Sequence, residues 1–302
     1  MSNGPRVSIV TPCLNMGRYL EEAIRSVLAQ DYEAIEYIVI DGGSTDNTLE
    51  ILERYKDRLR YESRPDSGAA EAINRGFALA GGGIFAYLNA DDLYLPGAVR
   101  AAAQALAEHP DAGVVYGSAS WIDADGAVVG EYPTRAFDRE LLGRECFICQ
   151  PAAFIRSGVF DRAGRMDATL QYTFDYDLWL RIARLYPMHR MDARLAHSRM
   201  HLENKTLGRR RQVFQETLAM LERNEGYVPF TWVYSYTCYR RDGRDQFFDP
   251  LAPSVRSYLA ALPMGLARNR RHPWRFLREW FRVMSWAGLL RRLQATHSEP
   301  RP

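Results

Sequence analysis

The stretch Ile84-Phe85-Ala86-Tyr87-Leu88-Asn89-Ala90-Asp91-Asp92 runs from five apolar or aromatic residues into two adjacent carboxylates. Three glycines precede it and Pro96-Gly97 follows, so this short run predicts a central strand covered on both faces. Neighbouring carboxylates repel each other unless a cation or donors hold them, and ligands bind at strand carboxyl ends in open α/β sheets. The stretch therefore predicts a ligand or cation site, unless Asp91 and Asp92 only cap the next helix.

Strand and helix patterns alternate upstream of this stretch. Short apolar runs predict strands at residues 7–10, 35–40 and 59–62, and apolar residues at helical spacing follow each run. This rhythm predicts an α/β fold, with a mostly parallel sheet flanked by helices. Neither of the first two loops has the glycine pattern of a Walker or dinucleotide-binding loop. The predicted strand ends instead carry polar side chains at one edge: Thr11 and Asn15, Asp41, Asp66, and Asp91 with Asp92.

The composition is that of a globular protein of one or two domains, with 302 residues, 47% hydrophobic and 25% charged. A formal net charge of +2 does not favour nucleic acid as a partner. Four cysteines, with no predicted signal peptide or spanning segment, indicate a reduced cytoplasmic protein. The lone C-x-x-C at Cys146 and Cys149 is weak evidence for zinc or redox chemistry, so we expect core thiols.

Four motifs, in their order and spacing, resemble those of family 2 glycosyltransferases with the GT-A fold. They are VSIVTPCLN at residues 7–15, DGGSTDNT at 41–48, DSG at 66–68 with AINRG at 72–76, and LNADD at 88–92. The likeness covers roughly residues 6–215. It implies a GT-A domain at 1–215, with a nucleotide-sugar-binding half at 1–110 and an acceptor half at 111–215, before a helical extension at 216–302.

The resemblance implies a site for a nucleotide-diphosphate sugar, with a UDP-sugar as the expected donor. Asp92 and Asp91 match the end of the family's D-x-D element, which binds Mg²⁺ or Mn²⁺ on the diphosphate. Asn89 stands where a first aspartate often occurs, and we expect Asp92 to face solvent at the strand end. Carboxylate and phosphate oxygens suit such a hard cation. The implied substrate contacts are Thr11, Pro12, Asn15, Asp41, Asp66, Asn74, Asp91 and Gln150.

The segment FDYDLWLR at residues 174–181 resembles the family's acceptor motif, E-D-x-D-x-W-x-x-R. The resemblance places Asp175 at the catalytic base, and Phe174 replaces the usual acidic residue. Direct displacement at the anomeric carbon needs a carboxylate within about 2.6–3.2 Å of the acceptor hydroxyl. Two alternatives stay open: Asp175 as the N-cap of a helix starting near Leu178, and Asp177 as the base, although we expect Asp177 to be structural.

A polar segment, expected to be a loop over residues 195–206, follows the last predicted strand. The resemblance implies that His201 reaches the metal or the diphosphate, with His197 as the alternative. Lys205 in the same segment would pair with a phosphate as a point charge.

Residues 271–287 predict a basic amphipathic helix. Such a helix either docks on an anionic membrane, near a lipid-linked acceptor, or packs on the catalytic domain or a second subunit. Its arginine stripe is Arg271, Arg275, Arg278 and Arg282, and the opposite side carries Trp274, Leu277, Trp280, Phe281, Val283, Met284 and Ala287.

The resemblance implies a metal-dependent inverting glycosyltransferase in cell-surface polysaccharide synthesis. Its acceptor would be a glycan or lipid-linked hydroxyl, and it would work in the cytoplasm at the inner face of the cell membrane. A sugar nucleotidyltransferase is one alternative, but no glycine-rich loop with a following basic residue opens the chain. A catalytically silent glycan- or membrane-binding module is the other, and the intact Asp92 and Asp175 argue against it.

Overall fold

The computed structural model describes residues 4–201, 204–243, 245 and 254–284, without the side chains of 283 and 284. The chain divides into two compact units, Met1–Leu142 with Cys146–Arg210 and Gly143–Glu145 with Arg211–Pro302. The strands are β1 Val7–Cys13, β2 Ile35–Asp41, β3 Arg60–Ser63, β4 Ile84–Tyr87, β5 Leu93–Tyr94, β6 Val114–Ile122, β7 Val128–Glu131, β8 Ala153–Arg156 and β9 Met188–Arg199. The helices are α1 Leu20–Leu28, α2 Thr48–Arg54, α3 Ala69–Leu79, α4 Ala98–Glu108, α5 Arg139–Leu142, α6 Phe160–Ala163, α7 Phe174–Ala183, α8 Lys205–Gly208, α9 Arg210–Glu225, α10 Phe230–Asp242, α11 Val255–Arg268 and α12 Pro273–Met284.

One sheet organises the first unit, in the order β3-β2-β1-β4-β8-β6-β9-β5, with β7 paired to β6. Strands β3, β2, β1 and β4 are parallel, as the βα rhythm predicts. Strand β8 is antiparallel to both β4 and β6, β9 is parallel to β6, and β5 is antiparallel to β9. The α/β prediction is confirmed, with a sheet that is parallel in its first half and mixed in its second.

The core lies against the central strands. All residues of β1 and of β4 are buried, which confirms the apolar stretch before Asp91 as a central strand. Helix α1 buries Leu20, Ala23, Ile24 and Val27, which recur at the spacing of one helix face. Because β1 and β4 are held on both edges and both faces, their carboxyl ends are fixed in position.

One alternative and one expectation about the ends of elements are wrong. Asp91 and Asp92 cap no helix, because β5 follows them and α4 begins after Gly97. The segment from residue 195 is not a loop, because β9 continues to Arg199 beside β6. His201 therefore stands two residues beyond a strand end.

The second unit is helical, and its expected start at residue 216 falls inside α9. The rings of Phe230 and Phe276 lie 6.1 Å apart, and those of Tyr258 and Trp280 lie 4.7 Å apart. Gly265 permits this packing, because a Cβ there would lie 1.8 Å from the ring of Phe276. Helix α12 is thus held to α10 and α11 by aromatic side chains.

Helix α12, Pro273–Met284, covers most of the helix expected over 271–287 and begins two residues later than expected. Residues 285–287 lie outside the described part of the chain. The expected apolar side is divided: Trp280 is buried, whereas Trp274 and Phe281 are 74% and 63% exposed. Within the described ranges, every helix is too short or too polar to cross a bilayer. Cys149 is a buried thiol, as expected of a core cysteine.

Candidate active site

Asp41 lies at the carboxyl edge of the sheet, in register with Cys13 of β1 and Ser63 of β3. Its carboxylate is fully buried, and Oδ2 accepts from the backbone N–H groups of Gly43 and Ser44 at 3.0 Å. The hydroxyl of Ser63 donates to the same oxygen at 2.6 Å, and the Ser44 hydroxyl donates to Oδ1. Asp41 therefore shapes its own loop, and its contact with a nucleotide stays a prediction.

Asp66 lies beside this loop. A Cβ on Gly42 would come within 3.0 Å of Asp66 Oδ2, so a glycine is needed for this approach. Burial raises the pKa of Asp66, while the N–H of Gly68, which donates to Oδ1 at 2.9 Å, opposes the rise. The loops after β2 and β3 thus form one polar surface.

Thr11 and Pro12 occupy the end of β1. Thr11 is buried, with Oγ1 3.1 Å from the hydroxyl of Tyr37. The pairing of β1 with β4 ends at Val10, whose carbonyl accepts from the N–H of Leu88. Two residues further on, the nitrogen of Pro12 points to the same side, where no ladder bond is needed. The proline is therefore compatible with a central strand.

Asn15 joins the first two loops. It is the single non-glycine residue with positive φ in the described part of the chain, at 53°. Its N–H donates to Ser44 Oγ at 2.7 Å, and its Oδ1 accepts from the N–H of Thr45 at 2.8 Å. Beside it, the N–H of Gly17 donates to Asp46 Oδ2 at 2.9 Å. These bonds make the two loops one structure, and substrate binding by Asn15 stays a prediction.

Asp91 and His201 are brought together from positions 110 residues apart. Asp91 Oδ2 lies 3.1 Å from His201 Nε2, and both residues are 8% exposed. The other ring nitrogen of His201, Nδ1, is buried without a hydrogen-bond partner among the residues described. The structure therefore places a carboxylate and an imidazole, two metal-ligand types, at the end of β4.

Asp92 turns inward, so the expectation that it faces solvent is wrong. It is 3% exposed, its Oδ2 accepts from Asn89 Nδ2 at 3.0 Å, and its Oδ1 accepts from the N–H of Arg199 at 2.9 Å. Burial raises the pKa of Asp92 well above its usual range, and the charge of Asp91 raises it further. Asp92 is held by protein donors on both oxygens.

Arg199, which the motifs do not single out, holds this acidic end from β9. Its side chain is 1% exposed and bonds to Glu22 Oε2 at 2.6 Å. Its Nε donates to the carbonyl of Asp91 at 2.9 Å, while its own N–H donates to Asp92. The sequence offers one signal for this role, because Arg199 lies two residues before His201. The segment was expected to be a loop, so the signal did not indicate a buried arginine.

Asn89 stands where an aspartate often occurs in the D-x-D element, and its amide helps to hold the end of β4. Its Nδ2 donates to Asp92 and also to Gln150 Oε1 at 3.0 Å. Gln150 Nε2 in turn donates to the carbonyl of Tyr87 at 2.6 Å. An aspartate at position 89 has no proton to donate when ionised, whereas the amide supplies two. Gln150 and Asn89 therefore brace Asp92.

Asp175 lies near the same strand end. Burial raises the pKa of the Tyr87 phenol, and the negative charges of Asp175 and Asp92 raise it further. The Phe174 and Tyr87 rings are 6.5 Å apart. Helix α7 begins at Phe174 after the N-cap residue Thr173, so the alternative of Asp175 as an N-cap is wrong.

Asp177 is 1% exposed and pairs with Arg181, with Nη2 and Nε at 2.8 and 2.9 Å from Oδ2. This arrangement agrees with the structural role expected of it. His197, the alternative to His201, is the register partner of Leu93, and burial lowers its pKa. The structure gives His201 the contact with Asp91.

Asn74 and Lys205 make other contacts. The amide of Asn74 bonds to the N–H and carbonyl of Met166 at 3.0 and 2.8 Å, so it braces α3. Lys205 is exposed, and its Nζ donates to the carbonyl of Gln171 at 3.1 Å. Gln171 Nε2 donates to the carbonyl of Ser67, so Lys205 is linked to the loop of Asp66. Substrate contact by either residue stays a prediction.

A divalent cation fits this site only with ligands from outside the protein. Across the described ranges, no group of three or more His, Cys, Asp or Glu side chains could hold a metal. Asp91 and His201 supply two ligands of these types, and Nδ1 of His201 has no hydrogen-bond partner among the described residues. Mg²⁺ characteristically binds one or two carboxylates, water and substrate phosphates. The donor set therefore suits a cation that arrives with a diphosphate.

An α/β sheet with an acidic strand edge defines a protein whose ligand site lies at the strand ends. The chain belongs to glycosyltransferase family 2, because the model "Glycosyl transferase family 2" matches residues 8–164, about half of its length. It is 33% identical over 216 residues to an uncharacterized glycosyltransferase of Rickettsia felis, covering 66% of this chain and 35% of the relative. A PGL/p-HBAD biosynthesis glycosyltransferase of Mycobacterium bovis is 32% identical over 182 residues, covering 59% and 69%. The chain spans between about a third and two thirds of the Rickettsia relatives it matches.

Solved structures share the fold. S. aureus TarS 1–349 in complex with UDP-GlcNAc has a TM-score of 0.60 at 15% identity, covering 87% of this chain and 81% of that one. The mannosyltransferase PcManGT from Pyrobaculum calidifontis, in complex with GDP-Man and Mn²⁺, has a TM-score of 0.58 at 18% identity, covering 98% and 80%. The first unit therefore has the GT-A fold that the motifs imply.

Proposed function

We propose that this protein is a metal-dependent inverting glycosyltransferase, which moves a sugar from a nucleotide-diphosphate donor to a hydroxyl group. The observation that carries the proposal is the contact between Asp91 and His201 at the end of β4 in a family 2 chain. The similar proteins solved with UDP-GlcNAc and with GDP-Man and Mn²⁺ support a nucleotide sugar and a divalent cation. A UDP-sugar is the donor to test first.

On the donor side, we assign Asp91 and His201 to Mg²⁺ or Mn²⁺. The cation neutralises charge on the leaving diphosphate when it is bound. Asp92 is assigned a positioning role, because both of its oxygens already accept protein hydrogen bonds. Thr11, Pro12, Asp41 and Asp66 are assigned to the nucleotide side of the edge, and Lys205 supplies a positive charge for a phosphate. Asn15, Asn74 and Gln150 remain proposed substrate contacts, alongside the bonds by which they brace the surrounding loops.

On the acceptor side, Asp175 is the base. The acceptor oxygen forms a bond to the anomeric carbon as the bond from that carbon to the diphosphate oxygen breaks, and the hydroxyl proton passes to the Asp175 carboxylate. Attack opposite the leaving group inverts the anomeric configuration. The ring of Phe174, the neighbour of Asp175 in α7, lies 6.5 Å from the ring of Tyr87 in β4, and this contact supports a base beside the donor site.

We assign the acceptor to a growing glycan, in lipid-linked form, and the enzyme to cell-surface polysaccharide synthesis. Its proposed location is the cytoplasm, at the inner face of the cell membrane. A relative named for PGL/p-HBAD biosynthesis supports this class of acceptor.

Thermal unfolding with nucleotides tests the donor site. UDP with Mn²⁺ should raise Tm, because a ligand that binds only the folded state stabilises it by mass action. UDP-GlcNAc and GDP-mannose, each with and without Mn²⁺, then rank the donors. Asp91→Asn and His201→Gln should each remove the Mn²⁺-dependent part of the shift.

His189→Gln is the matched control, because His189 is a histidine stacked on His109, with ring centroids 3.5 Å apart, and is not assigned to the site. It should leave the Mn²⁺-dependent shift unchanged. The donor proposal fails if no nucleotide raises Tm with or without Mn²⁺. A shift that is equal in wild type and Asp91→Asn overturns the assigned metal ligands.

A further inference from the structure

Helix α12 has two aromatic sides that serve different purposes. Phe276 is fully buried and Trp280 is 9% exposed, with Trp280 Nε1 donating to the carbonyl of Tyr258 at 3.3 Å. These two residues hold the helix to the second unit. Trp274 and Phe281 are 74% and 63% exposed, so they make no comparable contribution to that core.

Trp274 and Phe281 lie on one face, because they are seven residues apart. Arg278 follows Trp274 by four residues and precedes Phe281 by three, so it lies between them on that face. Arg271 lies in the turn just before α12, three residues before Trp274 in sequence, and both arginines are exposed. We call these four residues the docking surface. It combines two large aromatic side chains with two guanidinium groups.

The charge of the docking surface has one sign. Glu279 is the acidic residue within α12, and its Oε2 accepts from the N–H of Phe230 at 3.0 Å, so it is held toward the protein. Arg275 is also turned aside, with its guanidinium carbon 3.8 Å from the centre of the Tyr227 ring. The surface therefore offers positive charge and apolar rings without a competing carboxylate from its own helix.

We propose that the docking surface binds an anionic lipid bilayer. Tryptophan rings lie well at the level of lipid headgroups, and guanidinium groups pair with their phosphates. Seven residues of helix span about 10 Å, which is short for a stable protein interface of about 800 Å² per partner. A bilayer needs no matching shape, so a narrow strip of this chemistry is sufficient. Only the purpose of docking, access to a lipid-linked acceptor, rests on the proposed function.

Vesicle co-sedimentation tests the proposal on the full chain. The protein should sediment with vesicles of phosphatidylglycerol and phosphatidylcholine in equal parts at low salt, and remain in solution with phosphatidylcholine alone. Binding should disappear at about 1 M salt, where the screening length falls to about 3 Å. Inorganic phosphate at the same ionic strength as a chloride control should compete no better than chloride, which separates a bilayer from a free phosphate.

Two double variants divide the chemistry. Arg271→Gln with Arg278→Gln should weaken binding about thirtyfold, since each basic residue near an anionic surface contributes on the order of a tenfold or smaller factor. Trp274→Ser with Phe281→Ser should weaken it at least as much, and neither pair should lower Tm because all four side chains are exposed. Arg58→Gln with Arg139→Gln removes the same charge from the first unit and should bind like wild type.

The docking proposal is overturned if the intact protein ignores anionic vesicles at low salt, or if the control pair loses as much binding as the docking-surface pair. Self-association that the aromatic variant abolishes, without vesicle binding by the wild type, would assign the surface to a second copy instead. Asp91→Asn should sediment like wild type. A failure of docking and a failure of the donor site are therefore separate results.

Discussion

The contribution of Arg199 to stability depends on the burial of its side chain. Its guanidinium is almost inaccessible and bonds to Glu22, to the Asp91 carbonyl and to the carbonyl of Ala124 at 3.0 Å. Arg199→Met should lower the free energy of unfolding by about 2 to 5 kcal/mol, because it removes the buried donor to the carbonyls of Asp91 and Ala124, and each acceptor left unsatisfied costs about 1 to 3 kcal/mol. Urea denaturation measures the loss.

Arg194→Met is the control, since Arg194 lies on the same strand and pairs with Glu131 at 2.8 Å while 48% exposed. A surface pair contributes about 1 kcal/mol or less. Equal losses in the two variants would contradict the role given to Arg199. Arg199→Lys should recover only part of the stability, because an ammonium group cannot reproduce the planar fork of donors.

Asp175 and Asp177 separate chemistry from stability within one helix turn. Asp175→Asn should keep donor affinity and lose transfer by about 100-fold or more, as expected when a general base is removed. Steady-state kcat, with Kd for the donor from titration, measures the two effects. Asp177→Asn should instead lower Tm, because it breaks the buried pair with Arg181. Normal turnover in Asp175→Asn would move the base elsewhere.

The acidic residues were predictable from the sequence, and their orientation was not. Asp91 and Asp92 follow a buried strand, which is a local pattern that places both at a sheet edge. Which one faces His201 depends on the Asn89 and Arg199 bonds, and Arg199 comes 107 residues later. Periodicity in the sequence does not predict a contact between residues so far apart. The sequence alone therefore predicts, wrongly, that Asp92 faces solvent.

At the scale of elements, hydrogen bonds to one exposed carboxylate, that of Asp46, help to join the loops after β1 and β2. Asp46 accepts from Gly17 on one oxygen and from the N–H of Thr48 at 3.0 Å on the other. Burial tends to raise the pKa of Asp46, but the hydrogen bonds from Thr48 and Gly17 outweigh it and the pKa is lowered. The folded state therefore favours the ionised form.

A lowered pKa in the folded state stabilises the protein above the unfolded value, near 3.9, and that stability is lost as pH falls through the folded value. Asp46→Asn should therefore lower Tm by a few degrees or less at pH 7, and the difference from wild type should close below about pH 3. Melting curves across that range measure it. A difference that persists unchanged in acid would contradict the electrostatic origin. Glu50→Gln, in the helix α2 that follows, is the control for loss of a charge.

Elements with strong local patterns were predicted well, whereas the ends of β9 and α7 were not. The spacing of apolar residues predicts helix α1 and strand β4. Strand β9 mixes polar and apolar residues without a regular period, and its last part is a strand because β6 pairs with it. Helix α7 begins four residues before the expected Leu178, and its first turn alternates the aromatic Phe174 and Tyr176 with two carboxylates, which suit a helix N-terminus.

At the scale of the whole molecule, the βα rhythm was sufficient for the α/β class and for the parallel half of the sheet. The insertion of β8 between β4 and β6 was not predictable, because it depends on pairing between distant segments. The division of the aromatic side of α12 also needed the structure. A helical projection places Trp274 and Trp280 by angle alone, and only the packing on Tyr258 shows that Trp280 faces inward.

The long separation between the acidic pair and β9 has a consequence during translation. At about 5–20 residues per second, a ribosome needs about 5–20 s to make the 107 residues between Asp92 and Arg199. Throughout that interval the emerging strands have their carboxylates but lack the arginine and histidine that hold them. Asp91 and Asp92 therefore gain these partners only after residues 199 to 201 have been made.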